Sequence, residues 1–201
     1  MGTTSKMSIP YPENNDFVAD GATNMKDIAD QVDAKTGLIL ITSGVINNTT
    51  EAKVQSCFVD NFRNYMVAIT CSAGTNNTEI KLQLMLGTNQ ATTNYRWTGV
   101  GASQDGTASN NGSAAGGSYT DAFPVTFVPD TNRHNGAECF IFQPKYALFT
   151  TYSCDWIYED SATFIGRKIL GRHKTATAYD GIRIFNASAF TGTYAVYGMN
   201  A

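Results

Sequence analysis

Tyr179-Asp180-Gly181-Ile182-Arg183-Ile184-Phe185, with Gly192-Thr193-Tyr194-Ala195-Val196-Tyr197-Gly198 behind it, decides how the rest of this chain is read. Short runs of β-branched and aromatic residues, each entered through a glycine, have the composition of strands. The stretch predicts two short strands, residues 181–185 and 193–197, joined by a loop. The stretch ends three residues before the C-terminus. A compact β domain that closes without a tail is therefore expected.

Working back from that end, the same kind of segment recurs. Residues 79–86 alternate cleanly, with Ile80, Leu82, Leu84 and Leu86 on one face and Lys81 and Gln83 on the other. Further candidates are residues 38–46, 54–58, 65–71, 95–100, 124–128, 138–142, 146–152 and 164–170. Polar and glycine-containing turns separate them. No helical pattern alternates with the strands, which excludes a parallel α/β sheet. The expected architecture is all-β, an antiparallel sandwich of jelly-roll type over residues 37–201. Residues 101–118, rich in Gly, Ser, Ala and Asn, read as a flexible surface loop.

The first 36 residues read differently. Pro10-Tyr11-Pro12 sets an extended entry, because each proline restrains its own φ and the residue before it. Asp20 is a candidate N-cap. Ala22, Met25, Ile28, Ala29 and Val32 then recur at helical spacing until Gly37. A short isolated helix is marginal in water. Its apolar face must pack on the body, on sister copies or on another protein. The proline-rich entry favours an arm that docks or oligomerises.

Composition narrows the function classes. The chain has 201 residues, enough for one β domain with a short appendage. Charged residues make up only 15% and the net charge is -3, with no basic run to neutralise phosphates, so nucleic-acid binding is not expected. No apolar run reaches the ~20 residues of a spanning helix, and no signal-peptide core follows Met1, so no membrane insertion and a cytosolic site of synthesis are expected. Four cysteines without a close pair, and two histidines, give no zinc spacing. They read as buried thiols, with Cys57–Cys71 the first disulfide to test. No cofactor or metal is expected.

No catalytic constellation stands out. Asp155, Glu159 and Asp160 are carboxylates close in sequence, the raw material of a glycosidase but equally of a solvated turn. His173 lies between Arg172 and Lys174, and His134 in a turn-like Asn-Arg-His-Asn-Gly; neither has a Gly-x-Ser-x-Gly partner. Aromatic side chains offer a better candidate. Tyr95, Trp97, Trp156 and Tyr158 have polar neighbours and could present flat faces to a sugar ring, although aromatics also suit half-buried sheet surfaces.

Three stretches together resemble a known family. Pro10-Tyr11-Pro12, Asp16-Phe17-Val18-Ala19-Asp20-Gly21-Ala22 and Ile28-Ala29-Asp30-Gln31-Val32-Asp33 resemble the virion-attachment segment of phage tail fibres. Cys57-Phe58-Val59-Asp60-Asn61-Phe62-Arg63-Asn64-Tyr65 resembles that family's approach to its next strand. Gly171, His173, Tyr179-Asp180-Gly181 and Gly192-Thr193-Tyr194 through Val196-Tyr197-Gly198 resemble its closing pattern. The resemblance is to small tail-fibre and minor virion proteins of tailed bacteriophages. It implies a non-enzymatic virion protein, usually a homotrimer, that contacts other tail proteins and a host-surface glycan or protein. Pro10, Tyr11, Pro12, Phe17, Met25, Ile28 and Val32 are the expected attachment residues. Tyr95, Trp97, Trp156 and Tyr158 are the expected receptor contacts. A stand-alone carbohydrate-binding module, or a baseplate, collar or head-decoration protein, is the alternative.

Overall fold

In the computed structural model, residues 37–75, 77–103, 120–129, 133–159 and 164–199 are described, together with the backbone of three two-residue strands at 2–3, 10–11 and 108–109. The chain divides into two compact units, residues 1–39 and 40–199. In the first, β1 (Gly2–Thr3) pairs antiparallel with β2 (Pro10–Tyr11). The expected helix, with Phe17, Met25, Ile28 and Val32, lies outside the described residues, as does Pro12.

The rest is antiparallel β, with no helix among the described residues. In chain order the strands are β3 (Leu38–Val54), β4 (Asn64–Gly74), β5 (Glu79–Leu86), β6 (Asn89–Gln90), β7 (Tyr95–Ser103), β8 (Ala108–Ser109), β9 (Phe123–Phe127), β10 (Asn135–Phe142), β11 (Thr150–Glu159), β12 (Phe164–His173) and β13 (Gly181–Met199). They hydrogen-bond into one 11-stranded sheet in the order β6-β5-β13-β4-β10-β11-β12-β7-β8, with β3 added on β13 and β9 on β5.

The quoted C-terminal stretch is not two strands and a loop. It is the single 19-residue strand β13. Its first residues, Gly181–Phe185, pair with Met85–Lys81 of β5, and Phe190–Met199 pair with Gly74–Asn64 of β4. Between them lies Asn186-Ala187-Ser188-Ala189, small and polar, where the strand exchanges one partner for the next. Asn186 Nδ2 donates to Thr78 Oγ1 at 2.9 Å, and Ser188 N donates back to Asn186 Oδ1 at 3.0 Å. Those bonds hold the crossing in place. A register shift at Thr191/Gly192 completes it. Likewise β3 merges the end of one expected strand into the start of the next, running 17 residues to a turn at Gln55-Ser56.

This partner exchange curls the sheet. β4, β10, β11, β12 and β7 make one layer; β5, β9 and the first half of β13 face it. Tyr95 closes the curl. Its backbone bridges to Thr120, its hydroxyl accepts from Leu84 N at 2.8 Å, and its ring meets Phe123 edge-on at 4.8 Å. Phe123 in turn stacks on Tyr152 across the layers at 4.3 Å. The core between them holds Ile46, Val67, Ile69, Ile80, Leu82, Leu84, Ile141, Ile182, Ile184 and Val196. Each such side chain contributes about 1.5–3 kcal/mol by leaving water. The cross-layer edge of β9 finds donors in the facing layer: Tyr152 Oη donates to Pro124 O at 2.7 Å, and Asn135 Nδ2 to Phe127 O at 2.9 Å. A strand edge facing a core must be satisfied in this way, because water cannot reach it.

Two glycines of the closing stretch have a steric reason. A Cβ on Gly192 would press into the backbone oxygen of Thr70, and one on Gly198 into the ring of Phe62.

Candidate functional site

Parity sorts the functional candidates. In β11 the buried positions are Thr150, Tyr152, Cys154, Trp156 and Tyr158, while Thr151, Asp155, Ile157 and Glu159 are exposed on the other face. Trp156 is 4% exposed, Tyr158 3% and Tyr95 0%. Trp97 is half-buried against the core. For Tyr95, Trp156 and Tyr158 the expected sugar platform is therefore corrected: these three rings are interior side chains, whereas Trp97 stays partly exposed and lines a shallow hollow with Thr98 and Thr151. Trp156 packs on Phe127 at 5.6 Å, and the Arg167 guanidinium lies 5.3 Å from its ring centre. Tyr158 bonds Asn77 Oδ1 through its hydroxyl.

Of the remaining candidates, His134 is exposed and Asp160 lies outside the described residues. Asp155 pairs with Lys168 at 2.8 Å and Glu159 with Arg133 at 2.8 Å, both at the surface. Each carboxylate thus faces its own cation rather than the other. His173 is 1% exposed at the end of β12. Its Nε2 lies 2.9 Å from Thr93 O, a pure acceptor, so Nε2 carries the proton and Nδ1 accepts from the Tyr179 hydroxyl at 3.2 Å. Burial pushes its pKa below the ordinary 6.5. It is a neutral core histidine. Among the described residues no His, Cys, Asp and Glu side chains group to hold a metal ion.

What the register does bring together lies on the outer face of the larger layer. The pairings align Thr193, Thr70, Gly136, Ile157 and Gly166 in one row across the strands. The next row holds Ala195, Ala68, Glu138, Asp155 and Lys168. Glycine, alanine and threonine over much of two adjacent rows leave a depression in the sheet surface. A trough of about 680 Å³ lies over β4, β10, β11 and β12, lined by Ala68, Thr70, Gly136, Glu138, Asp155, Ile157, Gly166 and Lys168, with the buried Trp156 and the half-buried Arg167 at its floor. A second hollow of about 340 Å³ shares Ala68 and Thr70 and continues over β13 to Ser43 and Val45 of β3. At about 4.8 Å per strand, the lane from β3 to β12 is about 24 Å long.

Its chemistry is mixed. Ile157 is 50% exposed and Val45 73%. The Thr70 and Thr193 hydroxyls bond each other at 2.7 Å and keep lone pairs toward solvent. Glu138 has no ion-pair partner among the described residues, Asp155 is paired with Lys168, and Arg167 also lines the trough, so its two carboxylates and two cations carry no net charge. Such a surface offers hydrogen-bond acceptors to hydroxyl-rich, uncharged ligands.

Sequence reading missed this site because its residues come from β3, β13, β4, β10, β11 and β12, and only the register unites them. The one local signal is the alternation in β10 and β11, which leaves Gly136 and Ile157 outside. No family model matches the chain, and no curated protein matches it either.

Proposed function

We propose that this chain is a structural protein of a tailed-phage virion, of the tail-fibre type, whose β body meets the host surface through the outer-face trough. The resemblance of residues 10–33 and of the closing pattern supports the virion reading. The trough is the observation that carries the attachment reading. It is a long, solvent-open lane of small side chains with hydroxyls and no net charge, suited to an extended, neutral, hydroxyl-rich chain such as a surface glycan. Residues 1–36 supply the anchor to other tail proteins, and the protein works as a homotrimer. Three weak troughs held side by side raise avidity through effective concentration without any new contact.

Filling the trough tests this. Gly166 has open space where a Cβ would stand, and a Cβ on Gly136 meets only Ile69 O at 3.7 Å. Gly136→Gln and Gly166→Gln should therefore fold normally yet obstruct the lane. Particles carrying either variant are expected to adsorb to host cells about tenfold less, the loss of about 1.4 kcal/mol of binding. Unchanged adsorption by both variants would remove the trough from the attachment surface.

A further inference from the structure

We propose that Cys139 and Cys154 are a latent cross-strand disulfide, closed when the chain folds in the presence of a low-molecular-weight disulfide and then sealed in the core. The two residues are direct partners in the β10–β11 register. Their sulfurs are 3.0 Å apart and both side chains are 0% exposed. Directly opposed residues of antiparallel strands hold their Cα atoms about 4.5–5.5 Å apart, inside the roughly 4.4–6.8 Å that a disulfide spans. Closure needs no backbone movement. Cys57 and Cys71 are buried and free as well, but neither has a sulfur neighbour among the described residues.

The reduced pair is also accommodated. The Tyr152 hydroxyl donates to Pro124 O at 2.7 Å, and Cys154 Sγ points its proton at Val125 O at 3.6 Å. That leaves the Cys139 proton for Tyr152 Oη at 3.3 Å or for Cys154 Sγ. Oxidation removes only weak S–H donors from this network. The site thus has a stable dithiol form and a stable disulfide form.

Access separates them. Exchange requires a thiolate and a reagent that can reach it. Burial pushes the Cys154 thiol well above its ordinary pKa, and both cysteines are fully buried in the folded chain. Closure therefore belongs to the stage when β10 and β11 have met but the facing layer has not covered them. One cysteine thiolate attacks a sulfur of the small disulfide, forming a mixed disulfide and releasing one small thiolate. The second cysteine thiolate attacks the protein-bound sulfur and releases the other. The protein loses two electrons and two protons; the small disulfide gains both and leaves as two thiols. This inference does not depend on the attachment reading.

The test is to unfold the full chain with reductant and refold it in a mixture of reduced and oxidised glutathione. Remaining thiols are then alkylated in denaturant, and the peptides mapped by mass spectrometry. The expected result is a Cys139–Cys154 linked peptide pair, with Cys57 and Cys71 alkylated. The thermal midpoint should rise by roughly 5–10 °C over the reduced chain, as closing a short loop predicts. The Cys139→Ala/Cys154→Ala chain should show no such rise. Four alkylated cysteines, glutathione retained on one cysteine without ring closure, or a bond to Cys57 or Cys71 would each overturn the proposal.

Discussion

Gly192 shows how a single position ties sequence to packing. It sits where β13 shifts register against β4, and a methyl group there has only backbone to push against. Gly192→Ala is expected to lower stability by about 1–3 kcal/mol in urea unfolding, the usual cost of overpacking; a change within 0.5 kcal/mol, a typical surface effect, would mean the strands part freely there. His173 makes a pH prediction. Its folded pKa lies below the unfolded 6.5, so its contribution is complete above that value and is lost as pH falls through the window beneath it. Glu79 acts oppositely: burial raises its pKa above 4.5, so its contribution declines as pH rises through that region. The difference between the wild-type chain and His173→Gln isolates the histidine. The wild type should lose thermal midpoint more steeply between about pH 7 and 5. Parallel curves would deny His173 its buried neutral state. The closing glycines were legible as a pattern, but their reason was not, since Thr70 and Phe62 lie far away along the chain.

Strands were largely readable as elements, and β5 was readable to its ends because Ile80, Leu82 and Leu84 alternate without interruption. β13 was not, because Asn186-Ala187-Ser188-Ala189 has loop composition and yet stays extended while it changes neighbours. β3 misled in the same way at Asn47-Asn48-Thr49-Thr50, where Asn48 adopts a φ of 47° within the strand. Trp156 was misjudged by its sequence neighbours. Counted by parity instead, it shares a face with Cys154, Tyr152 and Tyr158, which is the core face. Trp156→Ala is therefore expected to cost about 3–5 kcal/mol of stability, the range for emptying a large buried ring. Retained stability with a selective loss of glycan binding would restore it as a surface contact. The trough itself could not be found from any one element, because pairing partners such as Thr70 and Gly136 become neighbours only in the sheet.

At the scale of the whole molecule, we propose a body that folds by its own core and a leading segment that anchors it. Among the described residues, the core cluster lies within residues 40–199. A chain of residues 37–201 is expected to be soluble, to give a β-type circular dichroism spectrum and to unfold cooperatively. Aggregation, or the absence of a thermal transition, would show that the first 36 residues are part of the fold. Full-length protein is expected to scatter light as three chains, and a mass of one chain at all concentrations would favour a stand-alone binding module.

The most direct measurement is immunogold electron microscopy of particles released from cells that make this chain, using antibody to residues 37–201. Gold is expected on the tails of particles with the full chain, and none on particles from cells making only residues 37–201. Unlabelled tails in both samples, with the full chain left free in the lysate, would contradict it.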